Sequence, residues 1–176
     1  WEKTKFTGTE ITDKVLGIFG FGNIGKIVAD RAQGLRMRVM VCDPFLNSQT
    51  AAKCGVELVS LEQLCKRSDY VTVHVPLNDS TRNLIDRKAI DAMKKGVRIL
   101  NCARGGIINE EALIEGLNSG KVAGAAVDVF VEEPPGKDHP FLKHDRGIST
   151  PHLGASTEEP QVNVAVQVAE QIREFA

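Results

Sequence analysis

"KVLGIFGFGNIG", Lys14 to Gly25, decides the fold. Its first seven residues form a short apolar run, β-branched in part and stopped by glycine, which reads as a buried strand. Its last six set Gly20, Gly22 and Gly25 in the spacing G-x-G-x-x-G. Ile24, Ile27, Val28 and Leu35 then recur at helical spacing, so a helix is expected to start inside the glycine cluster with those residues as its apolar stripe. In such a strand–turn–helix unit the first glycine makes the tight turn and the second lets a pyrophosphate approach the backbone. The third packs helix against strand. Unpaired N–H groups at the helix amino end, around Asn23 and Ile24, complete an anion site. A plain strand-to-helix turn uses glycines too; the strand before and the helix after favour the nucleotide.

The segment beyond this unit adds to that reading. "RVMVCD" (Arg38 to Asp43) is a second strand, closed by Pro44, and Asp43 stands 18 residues beyond Gly25. An acidic residue at about that separation meets the adenosine ribose diol, and its charge repels a 2′-phosphate, favouring NAD over NADP. A turn aspartate is the alternative. After a mixed segment with a helix over Leu61 to Lys66, "YVTVHV" (Tyr70 to Val75) is another strand, closed by Pro76. Asp86 caps a helix carrying Ile90 and Met93, with Gly96 after its end; Asn109, Glu110 and Glu111 open another through Leu117, with Gly120 beyond. "RILNC", "VAGAAVDVF" (Val122 to Phe130) and "GIST" (Gly147 to Thr150) supply further strands, and Val162, Ala165, Val166, Ala169 and Ile172 give a last helix its stripe. Strands that are continuous apolar runs, alternating with helices, predict a Rossmann-type α/β fold: one nucleotide-binding domain built on a doubly wound parallel sheet.

Composition narrows the function. With 176 residues, 42% hydrophobic and a formal net charge of -1, the chain fits one ordinary soluble domain, and neither nucleic acid nor membrane is an expected partner. A cytoplasmic setting is the default. The four cysteines, Cys42, Cys54, Cys65 and Cys102, lack CxxC spacing and are expected to be reduced, buried thiols; no metal site is expected. The chain opens on Trp1, and "WEKTKFTGTEITDK" shows little periodicity, which suggests a segment of a longer polypeptide.

In open α/β sheets ligands gather beyond the carboxyl ends of the strands. Arg104 follows "RILNC" immediately before two glycines, where a guanidinium can clamp a small carboxylate with two parallel bonds or lie free in solvent. "DVFVEEPP" puts Asp128, Glu132 and Glu133 past one strand end, and "STPHLGAST" puts His152 past another. Histidine can exchange a proton with an alcohol near neutral pH, and a carboxylate beside it fixes its tautomer. Taken singly, His152 reads as well as a surface or core histidine, and the glutamates as solvated charges; their convergence is what points to chemistry. His74 is expected to pack or line the cofactor crevice, and His139 and His144 to be solvated.

"GIFGFGNIG", "CDP", "VTVHVPL", "NCARGG", "DVFVEEPP" and "PHLGAST", in this order along nearly the whole chain, resemble the D-2-hydroxyacid dehydrogenase family. The resemblance implies NAD as cofactor, His152 as acid/base, Glu133 as its partner and Arg104 as the ligand of the substrate's carboxylate and carbonyl. It implies that Asp128 contacts the nicotinamide carboxamide, that Cys102 and Ala103 lie along the nicotinamide ribose, and that Pro76 and Thr81 line the cofactor, with Pro44, His74 and Gly154 also on the cofactor side. The substrate would be a small 2-hydroxy acid: D-3-phosphoglycerate, towards which "NCARGG", "EEPP" and "HLGAST" lean, or D-lactate, glycerate and related acids. Family members place a substrate domain before the nucleotide domain and return to it afterwards, so a substrate lobe and a homo-oligomer are implied partners, and the segment alone would turn over poorly. An NAD(H)-sensing corepressor-like module is a rival; a methyltransferase explains neither Arg104 nor His152.

Overall fold

The computed structural model describes residues 1, 2, 4, 7–154, 156, 166 and 170–173. The glycine-rich unit forms as expected, with β1 at Val15–Phe19 and α1 at Asn23–Gly34. β2 (Arg38–Cys42), α2 (Ser48–Lys53), β3 (Glu57–Leu58), α3 (Leu61–Arg67), β4 (Tyr70–Val73), α4 (Arg87–Ala92), β5 (Val97–Asn101), α5 (Glu110–Asn118), β6 (Val122–Val127) and β7 (Gly147–Ser149) follow. A 3₁₀ turn, Pro140–Lys143, precedes β7. All pairings are parallel, in the order β3-β2-β1-β4-β5-β6-β7, so the winding reverses between β1 and β4. That reversal opens the crevice in which doubly wound sheets bind ligands.

The alternation of β1 divides the core. Val15 and Phe19 pack on one face with Leu64, Val71, Val73, Ile99 and Leu117, while Leu16 and Ile18 pack on the other with Ala29, Ala32, Val39 and Val41. Both faces are apolar because helices cover both, the physical reason the strands read as unbroken hydrophobic runs. Side chains at the helix starts satisfy orphan amides: Asn47 accepts from Thr50, Ser60 and Gln63 form a reciprocal capping box, Asp86 accepts from Ala89, and Asn109 accepts from Ala112.

Several expectations need correction. The stripe of α1 is not Ile24, Ile27 and Leu35, which are 60%, 54% and 57% exposed, but Gly25, Ala29 and Ala32. The helix lies too close to the sheet for larger groups: a Cβ on Gly25 would stand 2.1 Å from the Gly20 carbonyl oxygen. Small residues at i, i+4 and i+7 therefore carry the packing. α2 and β3, too short for a periodic signature, lie in what the sequence shows only as a mixed segment. β4 and β6 end at Val73 and Val127, earlier than their apolar runs. Of the cysteines, only Cys65 is buried; Cys42 is half-buried, and Cys54 and Cys102 are exposed, all four being unpaired. Burial pushes the Cys65 thiol up to about 11, leaving it inert near neutral pH. Val166 and residues 170–173 are helical, whereas Val162, Ala165 and Ala169 of the expected last stripe lie outside the described residues.

Candidate active site and cofactor crevice

Strand register puts the site together. Cys42 pairs with Phe19, Phe19 with Val73, Val73 with Asn101, Asn101 with Val127, and Val127 with Ser149, so these strand ends form one row across the sheet. One residue past each is Asp43, Gly20, His74, Cys102, Asp128 and Thr150. Most of the residues singled out from sequence stand on this edge or just beyond it.

The glycine turn leaves the amino end of α1 open to an anion. Gly20 has φ +89°, and a Cβ there would meet the His74 carbonyl oxygen at 2.5 Å, so a side chain is excluded on conformational and steric grounds together. Gly22, the N-cap of α1, offers no side-chain cap to the first-turn amides, no acidic residue stands in that turn, and a Cβ on Gly22 would enter open space. A helix amino end left uncapped and unobstructed could hold a diphosphate on its Asn23, Ile24 and Gly25 amides. Beside it is a cleft of about 310 Å³ lined by Phe21, Gly22, Lys26, Asp43, Phe45 and Asn47 among others. Asp43 Oδ2 accepts the Phe21 amide at 2.6 Å and Oδ1 the Phe45 amide at 2.7 Å. Each oxygen keeps a further acceptor position that a diol could use. Pro44 is exposed beside it, and Phe45 is 95% exposed.

On the other side of the switch point, Asn101 organises the turn that carries Arg104. It is 3% exposed; its Nδ2 donates to the Arg104 carbonyl at 2.9 Å and its Oδ1 accepts the Ala103 amide at 3.1 Å. The exposed Arg104 guanidinium donates to the Ala103 carbonyl at 2.6 Å, and Cys102 is exposed alongside. Gly105 lies against the next loop so closely that a Cβ would come 1.9 Å from the Phe130 carbonyl oxygen. Sequence reading passed over Asn101, although an asparagine at a strand end before glycines is a turn signal.

Glu133 and His152 meet across these loops. His152 Nδ1 lies 2.7 Å from Glu133 Oε2, and Glu133 Oε1 accepts the Phe130 amide at 2.9 Å. The hydrogen bond with His152, then that from Phe130, holds the Glu133 carboxyl below the usual carboxylate range. The pair borders a cleft of about 450 Å³ that Phe130, Pro134, Leu142 and Pro151 help to line. His152 sits at φ +53°, its amide donating to the Asp128 carbonyl at 2.9 Å.

Asp128 grips that histidine loop with its side chain as well. It is 5% exposed, and it accepts from Thr150 Oγ1 at 2.5 Å, the Leu153 amide at 2.8 Å and the Gly154 amide at 3.1 Å. Burial pushes its pKa up, but the three hydrogen bonds outweigh burial and hold it below the usual range. A depressed native pKa gives stability that is present above the unfolded-state value and lost as pH falls through the native one. Asp128→Asn is therefore expected to lose roughly 1–3 kcal/mol at pH 7 and to flatten the acid limb of stability below about pH 4. Urea midpoints measured from pH 7 to 3 check this; parallel profiles for the two proteins would remove Asp128 as the source.

The remaining expected residues divide. Thr81 Oγ1 donates to the Pro76 carbonyl at 2.5 Å and accepts the Asn78 amide at 2.9 Å, closing a compact loop beyond β4. His74 is half-buried, its Nε2 3.1 Å from Thr72 Oγ1, and burial lowers its pKa. His139 is not solvated: its side chain is 19% exposed and packs edge-on against Phe130. Its polar neighbours in sequence concealed that contact. His144 accepts the Arg146 amide through Nδ1 and is half-buried.

A seven-stranded parallel sheet with a glycine turn at its switch point and an imidazole–carboxylate pair on the same edge is a dinucleotide-binding dehydrogenase architecture. The family model "D-isomer specific 2-hydroxyacid dehydrogenase, NAD binding domain" matches residues 1–154, and the chain belongs to that family, with NAD as its cofactor. D-3-phosphoglycerate dehydrogenase of Bacillus subtilis (strain 168) is 49% identical over 176 residues, all of this chain and 33% of that protein. The protein of the same name from Methanocaldococcus jannaschii is 49% identical over 174 residues, 98% of this chain and 33% of its own length. The crystal structure of NAD-dependent formate dehydrogenase from Staphylococcus aureus in complex with NAD superposes with a TM-score of 0.88 at 34% identity, covering 99% of this chain and 52% of that one. The chain thus spans about a third of the length of the curated relatives it matches. No helix among the described residues is long and apolar enough to cross a membrane.

Proposed function

We propose that this chain is the cofactor half of a D-3-phosphoglycerate dehydrogenase, oxidising the C2 hydroxyl of D-3-phosphoglycerate to 3-phosphohydroxypyruvate at the entrance to serine biosynthesis. The observation that carries the reading is the His152–Glu133 pair, 2.7 Å apart beside the row of strand ends. The names and 49% identity of the Bacillus and Methanocaldococcus relatives support the choice of substrate over lactate or glycerate. A substrate-binding lobe beyond these 176 residues completes the cleft, which the exposure of Arg104, Glu133 and His152 supports. A cytosolic setting fits four unpaired thiols.

Bound NAD supplies the hydride acceptor. With Nδ1 turned to Glu133, the Nε2 of His152 is left to take the hydroxyl proton, and the carboxylate stabilises the imidazolium that results. Arg104 exchanges its contact with the Ala103 carbonyl for the substrate's carboxylate, a charge-assisted and stronger bond. Asn101 and Asp128 hold the turns of Arg104 and His152, so that reacting groups are oriented before the substrate arrives. Asp43 accepts from the adenosine ribose hydroxyls, the Thr81 loop with Pro76 lines the cofactor, and Cys102 and Ala103 lie along the nicotinamide ribose.

Two measurements test this. The complete enzyme is expected to oxidise D-3-phosphoglycerate in preference to D-lactate and D-glycerate; a reversed order would overturn the substrate. The chain itself is expected to bind NADH, and Asp43→Ala to weaken it on the order of tenfold or more through loss of charge-assisted bonds. Calorimetry finding NADPH bound as tightly as NADH by the unsubstituted chain would remove Asp43 from this role.

A further inference from the structure

Behind the loop that carries Glu133 lies a second titratable pair that this chemistry does not use. Glu110 is the first residue of α5, where an exposed carboxylate would serve only as a favourable charge at a helix amino end. Its carboxylate does more than that. Oε1 accepts the Val131 amide at 2.8 Å, and Oε2 lies 3.3 Å from His139 Nε2. The His139 ring stands edge-on to Phe130 with centroids 5.3 Å apart, and Phe130 stands edge-on to Phe141 at 6.2 Å. His139 Nδ1 is buried without a protein partner among the described residues, so Nε2 is the ring atom that serves Glu110. Nε2 must carry a proton there, since a bare ring nitrogen would face a carboxylate lone pair to lone pair.

A partly buried acid with an incompletely satisfied histidine costs stability that an apolar filling of the same space would not. What the pair holds is the Phe130–Val131 peptide, and Gly105 closes on that same peptide: a Cβ there would come 2.6 Å from the Val131 nitrogen and 1.9 Å from the Phe130 oxygen. Two residues further on, Glu133 binds the Phe130 amide and His152. We infer that Glu110, oriented by His139, is a positioning residue for the Glu133–His152 pair, fixing the loop so that the Glu133 carboxylate meets His152 Nδ1. The inference rests on the role given to His152 above, but it concerns geometry that can be read without substrate.

Nitrogen-15 NMR of this chain at pH 8, where an ordinary histidine is neutral, provides the test. Glu110→Asp keeps the charge at the helix amino end and shortens the reach by one methylene; Glu110→Gln keeps the reach and an acceptor oxygen. In Glu110→Asp the Val131 amide is expected to exchange about tenfold faster relative to the β1 amides, and His152 to lose its Nδ1–H signature for the mixture of tautomers of a free ring. Glu110→Gln is expected to retain both. Should Glu110→Asp fail to fold, His139→Phe keeps the ring packing on Phe130, removes the donor to Glu110, and is expected to produce the same two changes in smaller measure. Unchanged Val131 exchange and unchanged His152 signals in a folded variant overturn the inference, as does an equal loss in Glu110→Gln. If these changes appear while the complete enzyme oxidises no hydroxy acid, the catalytic reading fails and the positioning stands; normal turnover without them leaves the catalytic reading and removes the positioning.

Discussion

His152→Ala in the complete dehydrogenase is expected to lower kcat by about two to four orders of magnitude, the usual contribution of a positioned general acid or base. Its affinity for NADH should stay within about twofold, because the glycine turn and Asp43 lie on the other side of the switch point. The separation of the two effects is the informative part. Loss of binding together with rate would mean that the substitution had disturbed the Asp128 loop, whose backbone and side chain hold residues 150–154. Single-turnover measurements of hydride transfer, with NADH binding followed by fluorescence, separate the two. A variant keeping more than a tenth of the parent rate for hydride transfer would sink the assignment of His152 as acid/base.

Gly105→Ala is the substitution expected to cost most in stability, about 3 kcal/mol or more. The added methyl would lie 1.9 Å from the Phe130 oxygen and 2.1 Å from its carbonyl carbon, so backbone on one side would have to yield to backbone on the other. No flexible side chain can absorb the overlap, and Gly105 does not have the positive φ of Gly106, so the cost is steric rather than conformational. Gly136→Ala is the control: its added methyl meets nothing within 4 Å, and it should change stability by no more than about 0.5 kcal/mol. Urea denaturation of the three proteins measures both. Equal midpoints for Gly105→Ala and the parent would mean that the two loops are not in contact in solution. Because Gly105 joins the Arg104 turn to the Glu133 loop, a folded variant should also show weakened carboxylate binding.

Every strand but β3 was legible in the sequence, the central ones because buried parallel strands are apolar throughout and stop near a glycine, proline or polar residue that sequence displays; β3, two residues long, carries no such signature. Most of the candidate residues were legible for the same reason, standing at or just past the end of such a run, although His74 and Asp128 fall inside runs that outlast their strands. The face of α1 was not. Its large residues, Ile24, Ile27 and Leu35, recur at helical spacing as faithfully as Gly25, Ala29 and Ala32, and only the closeness of helix to sheet decides between them. Size, here, outweighed hydrophobicity. α2 escaped because six residues make under two turns. His139 and Glu110 escaped because they stand 29 positions apart and are brought together by the return of the chain over α5. Polar neighbours in sequence say nothing about an aromatic neighbour in space.

Attempts to convert this domain to the phosphorylated cofactor meet a constraint set by Asp43. Its oxygens accept the Phe21 and Phe45 amides at 2.6 and 2.7 Å, so the residue proposed to discriminate at the ribose is also a strut between the glycine turn and the loop after β2. A designer who removes the carboxylate to admit a 2′-phosphate removes that strut in the same stroke. Serine or alanine would relieve the repulsion and slacken the turn proposed to receive the pyrophosphate. Asparagine keeps an acceptor for one of the two amides without the charge, and a new cation must then come from a neighbouring position, such as exposed Phe45. Cofactor exchange in this scaffold is thus a two-site redesign, with loop rigidity and charge altered together.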